Sequence, residues 1–113
     1  MIDDENLNNQ YGIVLVTVGN DQEAKKIANI LVTEKLVACV NFFPITSVYS
    51  WQGEVCCDGE WQLIIKTNLS LFPSLEKRIR ELHSYEVAEI IALPLVNISQ
   101  PYLYWMQNNL NLH

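Results

Sequence analysis

The chain has 113 residues, with seven Lys and Arg against thirteen Asp and Glu, three Cys, three Trp, five Tyr and three Phe. A net charge of −6 excludes a nucleic-acid partner, because affinity for a phosphate backbone needs clustered Lys and Arg; half of the residues are apolar, which excludes a disordered tail. One domain of this length buries roughly two thirds of the surface its unfolded chain exposes, so it needs neither a metal nor a disulfide to fold.

Residues 1–10 (MIDDENLNNQ) are acidic and without periodicity, and are expected to form a flexible terminus outside the single domain of residues 11–113. Their charge is wrong for a secretory signal, and no apolar run reaches the roughly 18 residues of a membrane span. Adjacent Cys56 and Cys57 with Cys39 do not make the even framework of a secreted disulfide protein. A cytoplasmic setting with no membrane partner is expected.

Tyr11 to Val18 (YGIVLVTV) is apolar and β-branched on both faces, the pattern of a central strand. Asn20 and Glu23 have capping-box spacing, and Ala24, Ile27, Ala28 and Leu31 repeat at helical spacing, which predicts a helix ending near Lys35. Val37 to Trp51 predicts a long strand with a bulge or sheet edge at Pro44, followed by a turn at Gln52-Gly53-Glu54 and a returning strand from Val55 to Thr67. Ser70 is expected to cap a second helix, with Pro73 in its first turn and Phe72, Leu75, Ile79 and Leu82 as its buried stripe. Val87 to Ile98 predicts a final strand that lies at an edge or carries a bulge, because of Pro94. A last helix opens near Pro101 and carries Leu103, Met106 and Leu110.

Two βαβ-like halves joined by a hairpin predict an α+β, ferredoxin-like split βαβ sandwich: an antiparallel sheet, two helices on one face, and an extra C-terminal helix. Such a protomer leaves the second sheet face and the overlong hairpin uncovered although both carry large apolar residues, so a homo-oligomer is expected.

The stretches KLVACVNFFPITSVYSWQGE (35 to 54), QLIIKT (62 to 67), LHSYEVAEIIALPL (82 to 95) and YLYWM (102 to 106) resemble the CutA divalent-cation-tolerance proteins, in order and at nearly the same spacings from about Tyr11 to Leu110. The resemblance implies a homotrimer clasped by the hairpins, a non-enzymatic role in the response to metal ions, and binding of copper or another divalent cation. In bacterial members a copper site has been attributed to a cysteine late in the first strand and two consecutive histidines after the second helix. Val16 and Leu82-His83 stand at those positions, leaving His83 as the metal-ligand candidate. The architecture is also similar to that of trimeric signalling proteins with ligands in intersubunit clefts, so a small-molecule sensor is the alternative.

His83 is more simply read as a cap at the end of the second helix. Cys39 reads as a small buried hydrophobe, whereas Cys56 and Cys57 should point to opposite faces and make a poor joint chelate. Lys66, Tyr85 and Glu89 are either a structural ion-pair set or, with aromatic walls from Trp51, Tyr49, Tyr102 and Trp105, a ligand pocket between subunits for a small anion or zwitterion. No nucleophile paired with a base is apparent, nor any motif of a phosphate loop or zinc protease.

Overall fold

The computed structural model describes residues 10–112; of the acidic N-terminal stretch only Gln10 falls within it, and His113 lies outside it. The central strand is β1 (Tyr11–Val18). Its alternation decides the layers: Val14, Val16 and Val18 are fully buried on one face, while Ile13, Leu15 and Thr17 on the other are half-buried. Helix α1 (Asp21–Thr33) lays Ala24, Ile27, Ala28 and Leu31 on the buried face. The Asn20 side chain caps it, accepting the Glu23 amide at 2.8 Å. Lys35 reverses the chain with φ 59°.

Strands β2 (Cys39–Trp51) and β3 (Glu54–Asn68) form the expected hairpin, pairing from Cys39↔Lys66 to Trp51↔Glu54. Gln52 and Gly53 both have positive φ, 50° and 82°, which matches the right-handed twist of the strands they join. β1 pairs with β3 only from Trp61 to Asn68. Ile45–Trp51 and Glu54–Glu60 therefore run past the sheet as a two-stranded arm about 24 Å long, at about 3.4 Å per residue. The molecule's extents are accordingly 52 × 25 × 22 Å.

The Asn68 side chain accepts the Ser70 amide at 2.8 Å and opens a single 3-10 turn, Leu69–Leu71, ahead of α2 (Phe72–Leu82). Ser70 thus lies inside that turn and is not the cap of the second helix; Leu71 holds that position without a side-chain bond. Leu75 and Ile79 of α2 join Val14, Val16, Leu63, Ile65, Ile27 and Leu31 in one core. Each such fully buried side chain contributes about 1.5–3 kcal/mol of transfer free energy.

The last strand, β4 (Ile90–Pro94), is shorter than the predicted 87–98. Residues 83–89 are held as a loop by the contacts described below, and beyond Pro94 the Leu95 amide donates to the Tyr11 carbonyl at 2.9 Å. Helix α3 (Gln100–Asn108) buries Leu103 and Met106 with Tyr11, Ala38 and Leu110 in a second cluster. Tyr11 shares the face of Ile13 and Leu15, so α3 covers one end of the side opposite α1 and α2.

The sheet order is β2-β3-β1-β4, all antiparallel, the arrangement of the predicted split βαβ sandwich. Both strand prolines fall on edge strands, Pro44 in β2 and Pro94 in β4, where a missing ladder donor costs nothing. Gly12 is fixed by close packing, because a Cβ there would lie 2.5 Å from the Leu93 carbonyl oxygen. Much of the open face and the arm has no cover within one protomer: Ile91 is 50% exposed, Val48 68% and Val55 79%.

Candidate functional site

The loop 83–89 crosses the end of β1 and faces the inner side of the arm. His83 begins it. Its backbone amide closes α2 on the Ile79 carbonyl at 2.8 Å, so it is the C-terminal cap residue, but its ring does not reach the helix carbonyls. The imidazole is fully buried, with Nε2 2.7 Å from the Thr17 carbonyl oxygen and Nδ1 accepting the Tyr85 amide at 3.0 Å. An acceptor Nδ1 requires the proton on Nε2, which then donates to Thr17. Both nitrogens are engaged. The ring holds loop to strand and, so arranged, offers no lone pair to a metal.

Glu23 completes this fastening from α1. Its position matches a capping box, yet its carboxylate turns outward from that role: Oε2 accepts the Ser84 amide at 2.8 Å and Oε1 the Ser84 hydroxyl at 3.0 Å. Oε2 also lies 3.7 Å from His83 Nδ1, a contact without a shared proton because Nδ1 accepts from Tyr85.

Tyr85 projects from the fastened loop over Gly19, where an added Cβ would come within 3.3 Å of its phenol oxygen. The phenol donates to Glu60 Oε2 at 2.9 Å. Burial first and the Glu60 bond second push its pKa up to about 12. Gln62, one turn of alternation further along the same face of β3, donates to the Val16 carbonyl at 3.1 Å and to Glu89 Oε2 at 3.2 Å. On the arm, Tyr49 donates to the Asp58 carboxylate, and that bond is the main reason its pKa also rises to about 12.

Between arm and loop lies an open cleft of about 830 Å³. Tyr49, Trp51 and Ile45 form the arm's wall; Tyr85, Val87 and Glu89 form the loop's; Thr17, Glu60 and Gln62 make the floor. Of the predicted set, Trp51, Tyr85 and Glu89 meet here. Lys66 does not. It pairs with Ile13 and Cys39 at the far end of the sheet, with Nζ 5.8 Å from the Tyr102 ring centroid. Gly19 lies six residue steps beyond Ile13, just past the end of β1, placing Lys66 about 20 Å from Tyr85. Within one protomer Lys66 and Glu89 therefore do not meet, and the cleft lining among the described residues includes Glu60, Glu86 and Glu89 but no Lys, Arg or His. Tyr102 and Trp105 stack on each other, centroids 5.3 Å apart, at the Lys66 end and not in the cleft.

Glu60 and Gln62 were not singled out in the sequence. Their signal was available in the alternation Glu60, Gln62, Ile64, Lys66, which puts polar side chains on a sheet face that continues into an apolar one.

All three cysteines are free thiols. Cys39 is half-buried, with Sγ 3.8 Å from Asn41 Oδ1. Cys56 and Cys57 sit opposite Tyr49 and Val48 on successive arm positions, hence on opposite faces. Among the described residues no group of three or more His, Cys, Asp or Glu is placed to hold one metal ion, and no helix is long and apolar enough to cross a membrane.

The family model for the CutA1 divalent ion tolerance protein matches residues 12–109. A divalent-cation tolerance protein CutA from Thermus thermophilus is 47% identical over 98 residues, covering 86% of this chain and 95% of the relative. A chloroplastic protein CutA from Arabidopsis thaliana is 49% identical over 98 residues, again 86% of this chain but 54% of the relative; the chain spans about half the length of such plant and animal relatives. Among solved structures, the Thermus thermophilus protein (Cut A1) superposes with a TM-score of 0.86 at 45% identity, covering 89% of this chain and 99% of that one. CutA1 from Oryza sativa superposes with a TM-score of 0.90 at 41% identity, covering 95% and 99%.

Proposed function

The chain belongs to the CutA1 divalent ion tolerance family, and from that membership we infer that it is a non-enzymatic cytoplasmic homotrimer that binds copper and other divalent cations weakly. The observation that carries the cation-binding part is the cleft lined, among the described residues of one protomer, by Glu60, Glu86 and Glu89 and by no basic residue. Its sign suits a cation and repels an anion. Because no three donors converge within one protomer among the described residues, donors from a neighbouring copy complete the coordination, which ties metal binding to assembly. Carboxylate oxygens favour hard ions, and copper, which prefers nitrogen and sulfur, binds such a site without high selectivity. His83 contributes by holding the loop that carries Tyr85 and Glu89, and is not itself a ligand. Assembly is supported by the uncovered arm and the exposed Ile91, Leu93 and Phe43 of the open face, surface of the kind that oligomers bury.

The test is calorimetric titration of the purified protein with copper(II) and with manganese(II) in a non-chelating buffer, beside light scattering. Saturable binding by a trimer, weakened at least tenfold in Glu60→Gln/Glu89→Gln, is the expected result. Absence of saturable heat for both ions overturns the metal part, and a folded monomer at micromolar concentration overturns the assembly. The size of the cleft favours a second role, as a sensor or signalling scaffold that takes a small molecule there.

A further inference from the structure

The His83 ring is 0% exposed within its own protomer, so a neighbouring copy has no access to it and its contacts do not depend on assembly. Ionisable groups face it from two elements. Helix α1 presents the Glu23 carboxylate, itself 13% exposed, with Oε2 3.7 Å from Nδ1. The loop presents Tyr85, whose ring centroid lies 4.8 Å from that of the imidazole and whose phenol, with its pKa pushed up to about 12, is uncharged at neutral pH. Strand β1 contributes the Thr17 carbonyl. The charged residues in the last turn of α2 are engaged elsewhere, Arg80 with Glu76 at 4.0 Å and Glu81 with Arg78 at 3.7 Å.

Two hydrogens compete for one lone pair in this arrangement. While the ring is neutral, Nδ1 accepts the Tyr85 amide at 3.0 Å, and Glu23 stands beyond hydrogen-bond distance. A second ring proton has to enter at Nδ1, because Nε2 already carries one. It turns Nδ1 from acceptor to donor and sets it against the Tyr85 N–H. The buried imidazolium then has a carboxylate on that side to offset its charge, and closing 3.7 Å to the roughly 2.8 Å of a charge-assisted bond takes a movement of about 1 Å. Oε2 has a second lone pair with which to keep the Ser84 amide, and Oε1 keeps the Ser84 hydroxyl.

From this geometry we propose that His83 is a proton-operated latch: neutral, it holds the Tyr85 peptide; protonated, it holds Glu23 and lets the Tyr85 peptide go, while the Ser84 and Thr17 attachments stay. Histidine is the side chain whose charge ordinarily changes between about pH 5 and 8, so mild acid drives the exchange. Its consequence falls on the loop wall of the cleft, where Tyr85 loses the backbone anchor that presents its phenol to Glu60. Neither His83 nor Glu23 lines the cleft, so the latch operates whether or not the cleft takes a divalent cation.

The test is nuclear magnetic resonance of the purified ¹⁵N-labelled protein in its native assembly, from about pH 8 to about pH 5. The sequence has two histidines, and His113→Gln assigns their ring signals. The expected result near pH 8 is the tautomer with the proton on Nε2 of His83, which converts to the imidazolium on acidification. With the same midpoint, hydrogen-exchange protection of the Tyr85 amide falls about tenfold relative to that of Ser84, as for the loss of one hydrogen bond; the ratio cancels the intrinsic effect of pH on exchange. In Glu23→Gln, which lacks the charge that receives the proton, both changes move about one pH unit or more to the acid side. The proposal is overturned if the His83 ring stays neutral down to about pH 5, if it is protonated while the Tyr85 to Ser84 ratio stays constant, or if Glu23→Gln converts at the wild-type pH.

Discussion

Replacing His83 by Ala separates a ring that holds the loop from a ring that holds a metal. The substitution removes the bond from Nε2 to the Thr17 carbonyl and the one from the Tyr85 amide to Nδ1, and empties a fully buried side-chain site. The Tyr85 amide is at an exposed contact and turns to water, forfeiting about 0.5–1 kcal/mol. The half-buried Thr17 carbonyl and the space left by the ring cost about 1–3 kcal/mol more. The sum is about 2–4 kcal/mol. With an m-value of about 2 kcal/mol/M, the urea midpoint falls by about 1–2 M, measured by far-ultraviolet circular dichroism with wild type and variant at equal protomer concentration. Copper titration of the folded variant completes the assay. An unchanged midpoint together with abolished copper binding would refute the reasoning, since it would mean that the imidazole nitrogens were free for a metal and not engaged with Thr17 and Tyr85.

Two further outcomes follow from contacts in the sheet and the cleft. Gly12→Ala drives a Cβ to 2.5 Å from the Leu93 carbonyl oxygen and 2.7 Å from the Leu69 side chain, so β4 has to shift at a cost of about 1–3 kcal/mol; thermal melting checks it, and a wild-type transition would contradict the packing. Ultraviolet titration of the phenols should find Tyr49 and Tyr85 ionising near 12, and Glu60→Gln should lower Tyr85 more than Tyr49. Because these folded-state values lie above the unfolded one near 10, the stabilisation carried by the two phenol contacts is complete below pH 10 and is lost as pH rises through 12; equal behaviour of Tyr85 in wild type and Glu60→Gln would disprove the Tyr85–Glu60 bond.

The sheet and helices were legible because each is fixed by local pattern. Tyr11 to Val18 is apolar on both faces, as a central strand is, and Ala24, Ile27, Ala28 and Leu31 repeat at helical spacing, so element type, and for α1 the buried face, are visible without knowing the neighbours. The final strand was over-extended for the opposite reason. Val87 is as apolar as a strand residue, but His83 and Ser84 are tied to Thr17 and Glu23, and contacts spanning 61 to 66 residues leave no mark in a local window. The site was half legible. Trp51, Tyr85 and Glu89 lie together within one protomer, whereas the strand register carries Lys66 to the opposite end of β1, a placement set by register and not by composition. Glu23 shows the same limit: its spacing from Asn20 correctly marked the start of α1, but the carboxylate serves a loop sixty-one residues away.

The two sides of the cleft belong to parts of the molecule with unequal support. The side bearing Tyr85 and Glu89 is riveted to the body through His83, Glu23 and Gln62, while the side bearing Tyr49 and Trp51 stands on a two-stranded cantilever rooted at Ile45 and Glu60. A small lean at that root swings the tip by several times as much, so the aperture is set by whatever grips the outer surface of the cantilever. Occupancy inside and grip outside are thereby mechanically geared to each other.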